Sequence, residues 1–352
     1  MTLKFEGTYN DRSWVRTGFT SLDLACGSTN RVTGEVTLGI PTRIGIHMYG
    51  MYKVGKSHVS IAVASALAEA MGKTVLHVPI DTFDDYLLTV MENAGLTKNP
   101  YIVMKDQDFE SLNEMVKMFD KTEVGVAILD SIMAVSPVSE QEGSVSDANM
   151  GRRAKLIGTW VKQMFGVVKH NKEEKIFIAT NHLFANIGTI PGTYTPGGRT
   201  IQGFTSLHLK IQQARKGMKP ITFDNGSWLL SGKVDNTNFG SKGSEFNLFV
   251  IGGWGVHKGI TAIYDCLSFG LATEDKGVVS INGTKVGKMK ALVNDFTKDE
   301  NFEPFLSAIS ENLYSLTAVD TKKKPAKKEK EVEEDEEEEK VDEKAVQELF
   351  DA

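Results

Sequence analysis

The sequence is poor in cysteine, with only Cys26 and Cys266 among its 352 residues. A disulfide framework needs many closely spaced cysteines, so none is predicted, and the chain suits a reducing compartment such as the cytoplasm. Long apolar runs are also missing, because segments such as Val124 to Leu129 fall far short of the roughly 20 residues that cross a bilayer. The start of the sequence shows no basic-then-apolar export signal. We therefore expect neither export nor a membrane partner.

Positive charge is scarce at the end of the sequence. The net charge is −6, but residues 331–352 contain twelve Asp and Glu against two Lys and carry −10, which leaves +4 on residues 1–330. A lysine-rich stretch, 322–330, precedes the acidic run. Such charge blocks bury too little apolar surface to fold, so residues 319–352 are predicted to form a disordered tail, basic and then acidic. Two roles stay open for it: a solubilising tail, or a polyanion that competes with nucleic acid for basic surfaces.

The rest of the chain has the composition of an ordinary globular protein, with 41% hydrophobic and 24% charged residues. Apolar segments of strand length alternate with segments of helical periodicity, which predicts an α/β fold with a mostly parallel sheet flanked by helices. Residues 1–40 form a lead-in element in this interpretation, and residues 41–258 form the core. Residues 259–318 form a small α+β lobe, with two helices around a hairpin, 278–286, that turns at Asn282-Gly283.

The predicted elements follow from periodicity and from their flanking turn residues. The strands are predicted over 43–49, 74–80, 101–104, 124–130, 175–180, 206–212, 227–234 and 245–251. The core helices are predicted over 57–71, 84–94, 109–119 and 150–170.

Residues 50–57 read G-M-Y-K-V-G-K-S and fit the pattern G-x-x-x-x-G-K-[ST] between a predicted strand and a predicted helix. In such a loop, glycines let backbone N–H groups surround a phosphate, and the following helix presents its positive N-terminus to the anion. Lys56 is predicted to reach the β- and γ-phosphates of ATP, and Ser57 to place its hydroxyl on Mg²⁺. The predicted cofactor-binding residues of this segment are Gly50, Met51, Tyr52, Lys53, Val54, Gly55, Lys56, Ser57 and His58.

Carboxylates follow two of the predicted strands. Asp130 ends an apolar strand and is predicted to hold the Mg²⁺ shell together with Ser57. Asp81 ends the strand 74–80 at the sheet edge where ligands of open α/β sheets bind, which makes it the candidate base that orients the attacking water. A helix cap is the alternative role for Asp81, because the residues after it also make a good helix start. Asp85 and Tyr86 are candidates for contacts with adenine or ribose.

The order and spacing of these motifs resemble the RecA family from about residue 16 to residue 314, and most closely the UvsX-type recombinases of bacteriophages. The resemblance is carried by segments 17–27, 50–57, 80–81, 128–131, 150–155, 180–182, 195–198 and 277–290. It implies a RecA-like P-loop ATPase core and a DNA-dependent ATPase that forms filaments on single-stranded DNA and catalyses homologous pairing and strand exchange. The implied partners are single- and double-stranded DNA and further copies of the chain, with single-strand-binding and loader proteins as further candidates. The implied location is the cytoplasm of a bacterial or phage-infected cell.

The sequence departs from the RecA pattern in three ways. Asp81 stands where RecA has glutamate, so a shorter side chain must position the water. His182 stands where RecA has glutamine at the γ-phosphate switch, and one of its ring nitrogens can still hydrogen-bond a phosphate. A packed residue at the strand end is the alternative role for His182. The lysine pair that RecA sends across the subunit interface is not clearly present, because Lys233 and Lys242 have a different spacing. Lys56, Asp81 and His182 are the candidate catalytic residues.

Two polar loops, 136–147 and 188–203, follow the strands that carry the nucleotide motifs. They are rich in glycine, proline and hydroxyl residues, as binding loops often are. Phe184 and Tyr194 offer stacking faces beside the second loop. The predicted DNA-binding residues are Arg152, Arg153, Lys155, Thr195, Gly197, Gly198 and Arg199. Ordinary solvated surface charge is the alternative for each basic residue. Because the second loop follows His182 directly, a γ-phosphate contact could move it and link ATP state to DNA affinity.

Two other functions remain compatible with the phosphate loop. A hexameric replicative helicase of the same ATPase superfamily would share the loop and Asp130, although the 150–151 and 195–198 signatures disfavour it. A non-hydrolysing accessory protein that binds ATP and DNA is compatible with the aspartate at position 81. The ATPase rate with and without single-stranded DNA separates these interpretations.

Overall fold

The computed structural model describes most of the chain before residue 319. The described residues are 12–29, 35–80, 85–96, 101–103, 109–135, 150–185, 193–196, 198–239 and 242–318. They belong to one compact unit. The predicted tail, 319–352, and the first polar loop, 136–147, lie outside the described residues, and the predicted boundaries at residues 40 and 258 stay predictions. No helix in the described part is long and apolar enough to span a membrane.

Helices and strands alternate through the first half of the chain. Within the described residues, the α-helices are α1 (Thr20–Cys26), α2 (Lys56–Met71), α3 (Asp85–Asn93), α4 (Phe109–Phe119), α5 (Met150–His170), α6 (Gly198–Phe204), α7 (Lys258–Phe269), α8 (Met289–Asn294) and α9 (Glu303–Ala318). Short 3₁₀ turns cover Ile132–Ala134 and Asp299–Asn301. The strands are β1 (Trp14–Val15), β2 (Ser28–Thr29), β3 (Val36–Thr37), β4 (Ile40–Pro41), β5 (Ile44–Gly50), β6 (Thr74–Pro79), β7 (Tyr101–Val103), β8 (Val124–Asp130), β9 (Ile176–His182), β10 (Phe184–Ala185), β11 (Thr193–Tyr194), β12 (Leu207–Gln213), β13 (Arg215–Lys216), β14 (Lys219–Pro220), β15 (Trp228–Thr237), β16 (Glu245–Ile251), β17 (Gly255–Val256), β18 (Ala272–Asp275), β19 (Val278–Ile281) and β20 (Thr284–Lys288).

Among the described residues, nine strands form the main sheet in the order β17-β16-β15-β12-β5-β9-β8-β6-β7. The six strands from β12 to β7 pair in parallel, and β15, β16 and β17 continue the sheet antiparallel. The predicted mostly parallel sheet flanked by helices is therefore confirmed. Parallel strands end at the same edge of a sheet, so β5, β8 and β9 bring Gly50, Asp130 and His182 to one edge.

The two faces of the sheet carry separate hydrophobic cores, because successive residues of a strand point to opposite faces. In β9, Ile176 and Ile178 belong to the core that contains α2, whereas Phe177 and Ala179 belong to the core that contains α4 and α5. Gly45 in β5 lies directly beneath Phe177, since a Cβ at position 45 would come within 2.3 Å of that ring. Both sides of the central strands are thus buried, which fixes their positions in the sheet.

The carboxy-terminal part packs α7 and α9 against the antiparallel side of the sheet through a third core, which includes Phe249 of β16 and Phe305 of α9. The predicted hairpin is confirmed as β19 and β20, and both turn residues, Asn282 and Gly283, have positive φ values of 50° and 77°. Positive φ at both central residues is the geometry that an Asn-Gly turn favours. The structure adds strand β18 and helix α8, which the sequence did not predict.

Candidate nucleotide site and the adjoining loop

The phosphate loop turns sharply between β5 and α2. Gly55 has φ 105° and Lys53 has φ 57°, both in the left-handed region. Gly50 lies so close to the neighbouring strand β12 that a Cβ would come within 2.1 Å of the Ile211 carbonyl oxygen. Glycine is therefore required at position 50 by close packing and favoured at position 55 by the backbone conformation. The turn starts α2 at Lys56, with the helix N-terminus at the carboxyl edge of the sheet.

Lys56 is folded into this loop and is only 6% exposed. Its ammonium donates to the Met51 carbonyl at 2.9 Å and to the Gly50 carbonyl at 3.3 Å. The same Nζ lies 3.4 Å from Nδ1 of His182. This contact arises because Gly50 and His182 are partners in the parallel pairing of β5 and β9. The two predicted catalytic residues Lys56 and His182 are therefore direct neighbours.

Asp130 is buried at the end of β8 and accepts a hydrogen bond from the Thr180 hydroxyl. Its carboxylate is close enough to α2 to act on His58: burial lowers the pKa of His58 to about 4, and Asp130 opposes that shift. Among the described residues, no group of three or more His, Cys, Asp or Glu side chains could hold a metal. Mg²⁺ usually takes one or two carboxylates and completes its shell with water and phosphate oxygens. The single buried carboxylate of Asp130 is the kind of ligand that a nucleotide-bound Mg²⁺ uses, and its pairing with the Ser57 hydroxyl stays a prediction.

Tyr86 forms a hydrogen bond with the first turn of α2. Its hydroxyl lies 2.9 Å from Nε2 of His58 and accepts the backbone N–H of Gly253 at 3.1 Å. Burial keeps the His58 imidazole neutral at ordinary pH, and the hydrogen of this contact belongs either to the tyrosine hydroxyl or to Nε2 of the tautomer that carries it. Trp228 packs edge-on against His58 with ring centres 5.6 Å apart, and its indole N–H donates to the Val54 carbonyl at 3.3 Å. Sequence reasoning missed Trp228, because no motif surrounds it.

Aromatic rings connect the phosphate loop with the second polar loop. The rings of Tyr52 and His182 lie 5.5 Å apart, and those of His182 and Phe184 lie 6.3 Å apart. Phe184 stacks on Tyr194 at 5.8 Å, where β10 and β11 pair as a short antiparallel ribbon. Phe184 is 38% exposed and Tyr194 is 50% exposed. The structure thus presents two stacked, accessible rings directly beyond His182.

The remaining predicted residues are located in different ways. Asp81 and Gly197 lie outside the described residues. Of Arg152, Arg153, Gly198 and Arg199 only the backbone is described, in the first turns of α5 and α6. Lys155 is exposed on α5, Thr195 is half-buried after β11, and Asp85 is exposed at the start of α3. Helices α5 and α6 pack against each other, which brings the predicted basic residues of both helices onto neighbouring elements.

The lysines weighed for a role across a subunit interface lie on neighbouring backbone segments, because the N–H of Gly243 donates to the Val234 carbonyl at 2.7 Å. Lys233 is exposed in the middle of β15 opposite Glu245, whereas Lys242 lines a polar cavity of about 390 Å³ beneath the second loop. Lys210 and Asp235 line the same cavity, and Asp235 accepts the Tyr49 hydroxyl at 2.6 Å. A role for Lys233 or Lys242 across an interface stays a prediction.

A mostly parallel sheet with a phosphate loop between β5 and α2, and with an aspartate at the end of β8, defines the class as a RecA-like P-loop α/β core. Comparison with known families agrees: the RecA N-terminal domain model matches residues 5–224 of this chain. The match covers more than half of the sequence, and the chain belongs to the RecA family.

Its similarity to individual relatives is low but extends over much of the chain. It is 24% identical to Protein RecA of Aquifex aeolicus over 288 residues, which are 81% of this chain and 79% of that protein. It is 25% identical to Protein RecA of Marinobacter nauticus over 321 residues, 90% of this chain and 85% of that protein. With Protein RecA of Porphyromonas gingivalis the identity is 27% over 210 residues, and the chain spans 58% of that relative's length.

Proposed function

We propose that this chain is an ATP-driven recombinase that forms a helical filament on single-stranded DNA and catalyses homologous pairing and strand exchange, with DNA-stimulated ATP hydrolysis. The observation that carries the proposal is the contact between Lys56 and His182, next to the stacked Phe184 and Tyr194. The proposed phosphate site and the proposed stacking surface would therefore be neighbours in one strand-end region. The UvsX-type resemblance and a bacterial or phage-infected cytoplasm belong to the same proposal.

The chemistry of the phosphate site follows from Lys56. Its ammonium now donates to two neutral carbonyls. A phosphate would add the attraction of full opposite charges to such charge-assisted hydrogen bonds. We expect a triphosphate to draw the ammonium onto its β- and γ-oxygens, with His182 within reach of the γ-phosphate. Ser57 and Asp130 would hold Mg²⁺, whose charge offsets the negative charge that develops on the transferred phosphoryl group. Asp81 is the proposed base that orients the attacking water.

The DNA surface in this proposal lies beside the second loop. Phe184 and Tyr194 are exposed rings on which bases stack, a contact that tolerates any sequence. Lys155 on α5, with Arg152, Arg153 and Arg199, would neutralise phosphates. Thr195, Gly197 and Gly198 would contact the strand through backbone and hydroxyl groups. Residues 1–40 would contribute to polymerisation, and single-strand-binding and loader proteins are proposed as further partners.

Electron microscopy with ATP and single-stranded DNA tests the proposal. We expect a helical filament, whereas a closed ring would favour the helicase. The ATPase rate with and without single-stranded DNA is the second measurement, and strong stimulation is expected. Absence of hydrolysis would favour the accessory protein.

The Lys56→Ala variant separates the phosphate site from the fold in the same assays. It should melt as the unaltered protein does and should hydrolyse no ATP, because Lys56 is poised for a ligand. Lys117→Ala is the matched control. This exposed lysine lies on α4 and forms an ion pair with Glu114, which is also exposed. Normal hydrolysis by folded Lys56→Ala protein contradicts the site assignment.

A further inference from the structure

The indole ring of Trp228 lies against the last residues of the phosphate loop. Its N–H donates to the Val54 carbonyl at 3.3 Å. The ring also covers Gly55, because a Cβ at that position would come within 3.3 Å of it. The imidazole of His58 packs edge-on against the same indole, with ring centres 5.6 Å apart. One side chain of β15 thus contacts both the loop and the first turn of α2.

The position of this indole is fixed by the backbone around it. Trp228 is the first residue of β15 and pairs with Val250 of β16. The turn before it is held by Asn225, whose side-chain oxygen accepts the Ser227 N–H at 3.1 Å and whose amide nitrogen donates to the Val293 carbonyl of α8 at 3.4 Å. Trp228 therefore cannot shift without disturbing the main sheet and the contact with α8.

The hydrogen bond from Trp228 determines which way the peptide between Val54 and Gly55 faces. A peptide bond is planar and trans, so its C=O and its N–H point in opposite directions. Because the Val54 carbonyl is turned toward the indole, the Gly55 N–H must point away from it. The φ of Gly55, 105°, lies in the region that glycine adopts without strain. Backbone N–H groups of such a loop are the groups that bind a phosphate.

We propose that Trp228 is a positioning residue that holds the Gly55 N–H in the orientation that binds the β-phosphate of a nucleotide. Trp228 itself contacts neither phosphate nor Mg²⁺, and it acts through the peptide between Val54 and Gly55. Without the indole N–H, this peptide is free to rotate and to turn its carbonyl toward the anion. A carbonyl oxygen can only accept hydrogen bonds, so it repels a phosphate. The inference rests on the proposed function in one respect, namely that the phosphate loop binds a nucleotide.

The Trp228→Phe variant keeps an aromatic ring beside Gly55 and removes the indole N–H. We expect its Kd for Mg·ADP, measured by isothermal titration calorimetry without DNA, to rise about tenfold, which is the effect of one hydrogen bond to a charged group. In the ATPase assay with saturating single-stranded DNA, the KM for ATP should rise by about the same factor. The kcat should change less than twofold, because the N–H contacts the phosphate in the ground state and in the transition state alike. A loss of stability alone would not produce this difference between KM and kcat.

A second replacement isolates the N–H group. Placing 3-benzothienylalanine at position 228 keeps nearly the shape of the tryptophan side chain, with sulfur instead of the N–H, and should raise the Kd for Mg·ADP as Trp228→Phe does. Trp160→Phe is the matched control. Trp160 packs against Phe177 in the core that contains α4 and α5, and its indole N–H has no hydrogen-bond partner among the described residues. This variant should lose stability and keep the normal Kd.

The inference is overturned if folded variants at position 228 bind Mg·ADP as tightly as the unaltered protein. A lower kcat with an unchanged KM in Trp228→Phe, or a Kd raised equally in Trp160→Phe, overturns it as well. If the unaltered protein does not bind Mg·ADP, the result counts against the proposed function instead.

Discussion

The Thr180 hydroxyl donates a hydrogen bond to the carboxylate of Asp130, and both residues are buried at the ends of the adjacent parallel strands β9 and β8. The bond turns one carboxylate oxygen toward β9. It leaves the other oxygen as the acceptor available for the predicted Mg²⁺ shell. Thr180 is thus a neighbour that fixes how Asp130 presents its charge.

Replacing Thr180 with valine keeps the shape of the side chain and removes the donor. We expect a higher Mg²⁺ concentration for half-maximal ATP hydrolysis, because Asp130 would no longer be held in one orientation. The free energy of unfolding should fall by about 1–3 kcal/mol through the unpaired carboxylate oxygen. A Mg²⁺ titration of the ATPase rate and a denaturant melt measure the two effects. Thr159→Val, on an exposed part of α5, is the control. If both variants show the same Mg²⁺ dependence, Thr180 has no role in orienting Asp130.

The proposed DNA surface predicts a change in salt dependence. Each phosphate contact contributes about 0.7 to the log–log slope of single-strand binding against salt. Replacing Arg152 and Lys155 together with alanine should weaken binding and flatten the slope by about 1.4 if both contact phosphate. The measurement is fluorescence anisotropy of a labelled oligonucleotide across salt concentrations, with Lys117→Ala as control. An unchanged slope means that neither residue contacts the backbone.

Asp265 predicts a pH dependence of stability. Burial raises its pKa to about 7, with a further contribution from Asp23, although the Ser21 N–H donates to it at 3.1 Å. The folded protein therefore keeps the proton up to about pH 7, whereas the unfolded chain releases it near the ordinary value of 3.8. Stability from this group is present below the lower value and is lost as the pH rises through the upper one.

Asp265→Asn should remove this loss, because the amide stays neutral and still accepts from Ser21. Each unit of difference between the folded and unfolded pKa of Asp265 corresponds to about 1.4 kcal/mol. At pH 8 the free energy of unfolding of the variant should therefore exceed that of the unaltered protein by a few kcal/mol. At pH 4 the two proteins should melt within a degree or two. Melting curves from pH 4 to pH 8 measure this, with Asp224→Asn as the exposed control. Parallel curves for Asp265→Asn and the unaltered protein would contradict the prediction.

The acidic tail predicts competition with DNA. Residues 331–352 carry twelve acidic residues. The tail predicted from the sequence would hold them near the rest of the chain at roughly millimolar effective concentration. A chain ending at residue 330 should bind duplex DNA more tightly at low salt. The difference should shrink as salt rises, because charges more than about 8 Å apart are largely screened at 0.15 M. If the truncated and full-length chains bind duplex DNA equally at low salt, the tail does not compete with DNA, and its role is solubility or docking of partners.

Strong periodicity made several elements predictable from the sequence. The predicted bounds of α4, α5, β8 and β16 agree with the structure residue for residue. Strand β9 extends two residues beyond the prediction, to His182, because Asn181 and His182 are polar and give no strand signal. Their place in the sheet comes from pairing with Tyr49 and Gly50 of β5.

Contacts between distant segments were not predictable. The phosphate loop and Asp130 carry local signals, whereas Trp228 beside His58 and Pro196 beside Asn181 are brought there by the folded chain alone. Strand β18 was missed because three of its four residues are exposed, so it lacks the alternation that marks a half-buried strand. Asp265 lies in no motif, and although Asp23 lies in the segment 17–27, nothing in the sequence indicates that the two are close; burial of Asp265, with a smaller contribution from Asp23, raises its pKa.

The division of β9 between two cores has a consequence at a distance. A slip of β9 by one residue would move Phe177 to the face of the sheet that Ile176 and Ile178 now occupy, and would move the isoleucines to the face of Phe177. The packing of both cores opposes this change. The same slip would also carry His182 out of line with Gly50. Hydrophobic packing in mid-strand therefore sets the spacing of polar groups at the strand end. Replacing Phe177, a core residue, with a smaller side chain should therefore disturb the contact between Lys56 and His182 at the strand end.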